Sequence, residues 1–439
     1  MKLKMKIKRA ALESGARLYL KALPWRSDLA GFMLMPVEKL NGTGKMVRVI
    51  RSAQKQDHPL FKVLVRLATE INPRCRSSFL SHHMPLLIEM PKADGSFFPK
   101  VLIISVTSRC NYTCPDCFNN TFSEKSDLPP EVLDRILFEA EEKGTKIVAF
   151  SGGEPLTRRD LFEIIERHPG LYFQIFTNGS LISDEAAKWM ARLGNVMPFI
   201  SLEGDKTLTD KRRGVGCYQK VFKAMKHLKR NGIIFGSNVM VTPDNFDSAT
   251  SDEFVKKLVS AGAMAIWYIT YRPVGKEPNP ELVLSRERHF ELYRRVQTIR
   301  NTWPVVALEN LHDVSYFGGC PAKLGVAIHI DHKGNVTPCP PLHFSNQNII
   351  GQTLEEALAA SPFIEEIMNT ECSGCIILEE PSRLEELVLK TGAVETGEED
   401  ELKNLRSYTS PGIRDLKKPF QTRTSEDIYG RLMEVFRDG

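Results

Sequence analysis

Three cysteines stand in the stretch SRCNYTCPDCFNN, spaced C-x-x-x-C-x-x-C at Cys110, Cys114 and Cys117. Three thiolates so close in sequence can wrap one soft metal centre from a single loop. The number is informative, because a cubane iron–sulfur cluster has four irons and three cysteines leave one of them open to an outside ligand. A structural zinc site requires a fourth protein ligand, and this loop contains no histidine, so zinc would need a distant partner. Four more cysteines follow at Cys320, Cys339, Cys372 and Cys375. They suit one fully coordinated auxiliary [4Fe-4S] cluster, with a structural zinc held by all four thiolates, or unpaired thiols, as the alternatives. A closed cluster cannot bind substrate, so its expected work is electron relay or bracing. Cys75 and Cys217 are left over; both read as small buried thiols, with a hydrogen-atom donor as the alternative for Cys217.

The elements that must position these residues alternate strand and helix from about 98 to 312. VLIISVT (101–107) is a continuous β-rich apolar run of the kind buried on both faces of a parallel sheet. KIVAF (146–150), YFQIFT (172–177), MPFISL (197–202), IIFGSNVMV (233–241) and AIWYITY (265–271) repeat the pattern. Between them lie amphipathic stretches, such as the stripe Leu133, Ile136, Leu137 and Ala140 stopped at Gly144, and the helix opening at Ser251. Six strand–helix units predict an α/β fold with a parallel sheet curled into a partial (β/α)6 TIM-like barrel. In such folds the chemistry sits at the carboxyl ends of strands, and every motif here falls just after one.

The cysteine loop after the first strand, together with SGGEP (151–155) after the second, resembles the radical S-adenosylmethionine (radical SAM) superfamily. The resemblance covers roughly 98–312. It implies a [4Fe-4S] cluster whose open iron chelates S-adenosylmethionine, which one electron then cleaves to methionine and a 5′-deoxyadenosyl radical. That radical takes hydrogen from an unactivated C–H bond, and an electron donor such as ferredoxin or flavodoxin is the implied partner. Gly152, Gly153 and Glu154 are then expected to meet the ammonium of the cofactor, Ser201 and Glu203 its ribose, and Arg213 its carboxylate or only the protein, with Asn178 near the same mouth and Asn238 either reaching the cofactor or standing as a buried structural amide. The family often has an aromatic residue just before the third cysteine; here Asp116 precedes Cys117 and Phe118 follows it. The later cysteines, with Gly334 five residues before Cys339, resemble the SPASM/twitch extension of the superfamily, although only one further C-x-x-C is present. The expected domains are a basic helical segment over 1–97, the core barrel over 98–312, the auxiliary-cluster extension over 313–380 and a charged helical tail over 381–439.

At 42 % hydrophobic and 26 % charged, the chain of 439 residues is globular rather than fibrous or disordered. No apolar run approaches the roughly 20 residues of a membrane span, and the start MKLKMKIKRAALESG lacks the apolar core of a secretory signal. A reducing cytoplasm is therefore expected, which favours metal ligation over disulfides. Residues 1–90 hold 17 Lys and Arg against 6 Asp and Glu, whereas the remainder holds 42 against 48. Leu12, Ala16, Tyr19, Leu20 and Leu23 recur at helical spacing among basic residues, predicting an amphipathic helix within 1–26 that either docks on its own domain with a solvated basic face or rests on the inner face of the membrane. A second amphipathic stretch, LFKVLVRLATEI (60–71), follows. No nucleic-acid module is present, and no nucleic-acid partner is expected. These features, and the lack of a winged-helix peptide-recognition pattern, point to a membrane-associated lipid or isoprenoid substrate. A peptide- or protein-modifying enzyme and a non-catalytic iron–sulfur electron carrier are the alternatives.

Overall fold

A computed structural model describes residues 58–88, 98–314, 319–372, 374–398, 401–408 and 410. The amphipathic helix expected within 1–26 lies outside them. Seven parallel strands, β1 (Val101–Thr107), β2 (Ile147–Gly152), β3 (Tyr172–Thr177), β4 (Val196–Leu202), β5 (Gly236–Val241), β6 (Ala265–Thr270) and β7 (Val306–Glu309), lie side by side in chain order. The first six match the expected units; β7 is a four-residue strand with too little apolar sequence to stand out.

Helices return the chain from each of these strands to the next, and their ends are written locally. The Ser183 hydroxyl accepts from the Ala186 N–H to open Asp184–Leu193, and Ser251 caps Asp252–Ala261 in the same way. Gly194 and Gly262 close those helices at positive φ, 83° and 108°.

The hairpin of β8 (Ala327–Ile330) and β9 (Asn335–Thr337) does not stand apart from the barrel. Strand β8 adds parallel to β1, and β9 returns antiparallel. The short β10 (Phe344–Ser345) pairs instead with Val394–Glu395, and β11 (Gln347–Asn348) rejoins the sheet beside β9. The ten-stranded sheet therefore runs β11-β9-β8-β1-β2-β3-β4-β5-β6-β7 with open edges. This is a partial barrel extended on its β1 side.

The second amphipathic stretch forms a helix whose apolar face is covered by the protein itself. In the helix Pro59–Thr69, Leu60, Val63 and Leu67 are buried, each worth about 1.5–3 kcal/mol. The Arg66 guanidinium donates to the carbonyls of Ala263 (3.1 Å) and Pro304 (2.9 Å), on the turns that enter β6 and β7. The Asn72 N–H donates to Gly232 O at 2.8 Å, before β5. This segment packs across the amino-terminal edge of the barrel, opposite the end where the motifs lie. Among the described residues no helix is long and apolar enough to cross a membrane.

Candidate functional site

The loop after β1 is clamped from two neighbouring strand ends. At the end of β2, the Gly153 N–H donates to Thr107 O (2.8 Å) and the Glu154 N–H to Arg109 O (2.7 Å), immediately before Cys110. A Cβ on Gly153 would lie 2.0 Å from the Arg109 carbonyl oxygen, and one on Gly152 2.2 Å from that of Thr107. The glycine pair is thus needed for the close approach of β2 to the cysteine loop itself.

Glu154 differs from the expected exposed strand-end group. Its carboxylate is buried and accepts from the Thr177 hydroxyl (2.7 Å), the Asn178 N–H (2.6 Å) and the Leu156 N–H (3.1 Å). Burial raises its pKa, and those donors with Arg213 oppose the rise. Its side chain ties β2 to β3. Asn178 extends the same brace, donating from Nδ2 to Asn111 Oδ1 (2.8 Å), while Asn111 Nδ2 donates to Ser180 Oγ (2.8 Å). Within the loop the Tyr112 N–H points at Cys110 Sγ (3.4 Å), and Asp116 takes a left-handed turn (φ 55°) before Cys117. Burial raises the Cys110 thiol to about 11, and the neighbouring Cys114 and Cys117 add to the rise. Burial lifts the Cys114 thiol too, and Arg213 and Arg212 offset it.

Beyond β4, Glu203 is buried, and its Oε1 accepts from Arg212 Nη1 (2.8 Å) and Arg213 Nε (2.7 Å). Arg213 is therefore ion-paired within the protein. Glu203 Oε2 is buried with no hydrogen-bond partner among the described residues, an acceptor aimed at nothing the chain supplies. Ser201 and Asn238 face each other across β4 and β5, Oγ donating to Oδ1 at 3.2 Å. A cavity of about 470 Å³ opens between the cysteine loop and the end of the helix Lys206–Arg213, lined by Cys110, Tyr112, Pro115, Lys211, Arg213 and Val215. Arg212 escaped the sequence reading, although it stands beside Arg213 in the same basic run.

The later cysteines gather at the β6 end of the same mouth. Cys339, Cys372 and Cys375 share an apolar core with Val274, Leu342 and Phe344. Burial raises the Cys320 and Cys339 thiols, each sensing Cys375 and the cation of Arg272. The Arg272 guanidinium, two residues past β6, donates to the Thr270 carbonyl and sets its charge beside Cys375 and Cys339. Cys372 Sγ donates to Glu379 Oε2 (3.3 Å), and the Cys375 N–H to Glu379 Oε1 (3.1 Å). Neither Arg272 nor Glu379 was expected; the strand-end rule would have marked Arg272.

The two cysteine sets meet through Phe118, which follows Cys117 and packs on the core that holds Cys339, Cys372 and Cys375. Gly275 (φ 90°) passes so near that a Cβ would lie 2.9 Å from Phe118 Cα. No group of three or more His, Cys, Asp or Glu among the described residues converges as a single ion requires. The donors gathered in each set are all sulfur, which suits an iron–sulfur cluster.

Residues 104–255 match the family model described as the Radical SAM superfamily. The core is a radical SAM domain. The chain is similar to the AdoMet-dependent heme synthase of Oleidesulfovibrio alaskensis, 25 % identical over 330 residues, covering 67 % of this chain and 83 % of the relative. It is similar also to the PqqA peptide cyclase of Gluconobacter oxydans, 27 % identical over 297 residues, covering 63 % and 82 % respectively. Among solved structures, Streptococcus suis SuiB bound to S-adenosylmethionine superposes with a TM-score of 0.56 at 20 % identity, covering 69 % of this chain and 78 % of that one. That likeness is one of fold. The radical SAM enzymes use a [4Fe-4S] cluster with S-adenosylmethionine, as the cysteine loop led us to expect.

Proposed function

We propose that Cys110, Cys114 and Cys117 hold a [4Fe-4S] cluster with one iron open to S-adenosylmethionine, and that the enzyme removes hydrogen from an unactivated C–H bond at the mouth of the barrel. The carrying observation is the three-thiol loop, clamped by β2 and β3, with a cavity opening directly on it. The cluster supplies one-electron cleavage of S-adenosylmethionine to methionine and a 5′-deoxyadenosyl radical. The chain does the rest. Gly152 and Gly153 seat the loop, Glu154 and Asn178 hold its height, and Arg213 with Glu203 forms the wall facing Cys114. The free Glu203 Oε2 and the Ser201–Asn238 pair are the polar groups offered to the nucleoside.

Cys320, Cys339, Cys372 and Cys375 hold an auxiliary cluster, with Arg272 stabilising its negative charge and Phe118 linking the two sulfur sets. A closed second cluster suits an oxidative outcome, in which the substrate radical gives up an electron. For the substrate we favour a peptide side chain. A peptide cyclase among the relatives and the SuiB structure with its precursor peptide support this reading. The heme synthase relatives favour a tetrapyrrole as the second reading. The lipid or isoprenoid expectation gains no support, because the 60–71 helix packs on the barrel and no relative described above is named for such a substrate.

The test is deuterium transfer. Anaerobic enzyme is offered perdeuterated peptide libraries, tetrapyrroles and isoprenoid lipids, and 5′-deoxyadenosine is examined for label. Label from peptides alone supports the reading; label from tetrapyrroles or lipids alone replaces the substrate, and unlabelled nucleoside from every pool refutes it.

A further inference from the structure

The two faces of the sheet have different surroundings. Along β3, β5 and β6 every residue is buried except two in each, at the same alternate positions: Gln174 and Phe176, Asn238 and Met240, Trp267 and Ile269. The register places these six on one face. The other face belongs to the helices: from it the Tyr268 hydroxyl donates to Ala249 O (3.3 Å) in the helix Phe246–Ala249. The half-buried face therefore lines the inside of the partial barrel.

That interior carries no charge. From β1 to β7 no residue on this face is Asp, Glu, Lys or Arg; Glu154, Glu203 and Arg272 all stand beyond the strand ends. His329, on β8 beside β1, adds none. Its ring nitrogens are hydrogen-bonded to Ser105 and Thr337, both at 2.8 Å, and burial depresses its pKa to about 3. Aromatic rings fill the lower part. Phe176 and Phe199 stack at 5.4 Å, and Trp267 meets both, at 5.6 and 5.8 Å. Gly236 makes room for the Phe199 ring, since a Cβ there would lie 2.6 Å from Cε1. At the start of β3, Tyr172 is fully buried against Phe79 (6.0 Å) and His83 (4.7 Å) of the helix Pro73–Ile88, which closes the interior from below. The result is a cup opening towards the cysteine loop, with an aromatic floor and the Gln174 and Asn238 amides in its wall.

We propose that this cup receives an uncharged aromatic side chain of the substrate, and that Trp267 is a specificity-determining residue. The inference rests on the peptide reading above and narrows it. A charged side chain drawn inside would lose its water and meet no counter-charge. An added ring instead meets the offset and edge-on geometry that the trio already shows. A tetrapyrrole bearing carboxylates would find no cation on this face.

The test uses the full-length, anaerobically reconstituted protein, oxidised and mixed with S-adenosylmethionine so that nothing turns over. Saturation-transfer titrations compare the amides of N-acetyl-tyrosine, N-acetyl-leucine, N-acetyl-glutamate and N-acetyl-lysine. The tyrosine amide should bind about 10-fold more tightly than the charged two. Trp267→Ala should weaken it by about 10-fold, and Trp267→Phe should keep most of it. Equal affinity for all four amides, tighter binding of the leucine amide, or an unchanged affinity in W267A would overturn the proposal. If W267A misfolds, Trp267→Leu is read by the same criterion. Peptide libraries deuterated in one residue type at a time then show where hydrogen is taken. Label in 5′-deoxyadenosine from Tyr, Phe or Trp supports the proposal, and label from other residue types alone overturns it. Unlabelled nucleoside from every library, with the tyrosine amide still bound through Trp267, would contradict the hydrogen-abstraction reading while leaving the cup standing.

Discussion

Replacing Gly153 by alanine tests how the cysteine loop is built. The new Cβ would sit 2.0 Å from Arg109 O and 2.5 Å from Arg109 C, and both are main-chain atoms that no rotamer change can move aside. Ordinary contact begins near 3.4 Å, so the strand end and the loop must separate by about 1.4 Å. That displacement breaks the hydrogen bonds from the N–H groups of Gly153 and Glu154. At about 0.5–1.5 kcal/mol each, the loss is about 1–3 kcal/mol, and Cys110 moves with Arg109. The assay is iron and sulfide per chain after anaerobic reconstitution, with a thermal melt. Two cubanes correspond to roughly eight irons, and G153A should fall towards the four held by the second set. Gly392→Ala is the control, since nothing lies within 4 Å of its Cβ and only its φ of 65° is strained, at about 1–2 kcal/mol. It should melt lower and keep its iron. Wild-type iron content and melting in G153A would refute the clamp.

Other perturbations have defined outcomes. Glu203→Gln leaves Arg212 and Arg213 without their shared carboxylate, so denaturant titration should show a loss of about 3–5 kcal/mol; less than 1 would mean that the pair is solvated. Arg272→Gln removes the cation beside Cys375 and Cys339, and losing a contact to a charged group costs about 1.5–3 kcal/mol. At 59 mV per tenfold for one electron, the midpoint potential of the second cluster should fall by roughly 65–130 mV in a redox titration monitored by paramagnetic resonance; an unchanged potential would remove Arg272 from the site. Burial depresses the pKa of His289 to about 4 and of His329 to about 3, from 6.5. The folded state then binds fewer protons than the unfolded one below pH 6.5, so stability is complete above 6.5 and is lost on acidification towards 4. Each histidine should contribute about 1.4 kcal/mol per pH unit to that loss. His289→Phe should flatten the pH dependence of the urea midpoint, and an unaltered slope would contradict it.

The barrel strands were legible because burial on both faces writes them as unbroken apolar runs. VLIISVT and YFQIFT coincide with β1 and β3 to the residue. The joining of β8 to β1 was not legible, since about two hundred residues separate the partners and no local pattern encodes pairing at that range. Spacing identified the cysteines but not their supports. Gly153 and Glu154 were read as facing a ligand, and their actual partners, Arg109, Thr177 and Asn178, are set by the register between neighbouring strands. Arg213 was expected either at the cofactor's carboxylate or paired only with the protein, and spacing could not choose between them; the fold brings Glu203, ten residues earlier, against it. The face of LFKVLVRLATEI was legible as apolar, but periodicity cannot say whether a bilayer or the base of the same domain covers it.

Release of 5′-deoxyadenosine from S-adenosylmethionine by the anaerobic, dithionite-reduced protein tests the central claim most directly, with Cys114→Ala run alongside. The wild type should produce the nucleoside, and the variant should produce none while keeping the second cluster. Nucleoside from the variant at the wild-type rate, or none from a wild type loaded with iron, would contradict the open-iron site.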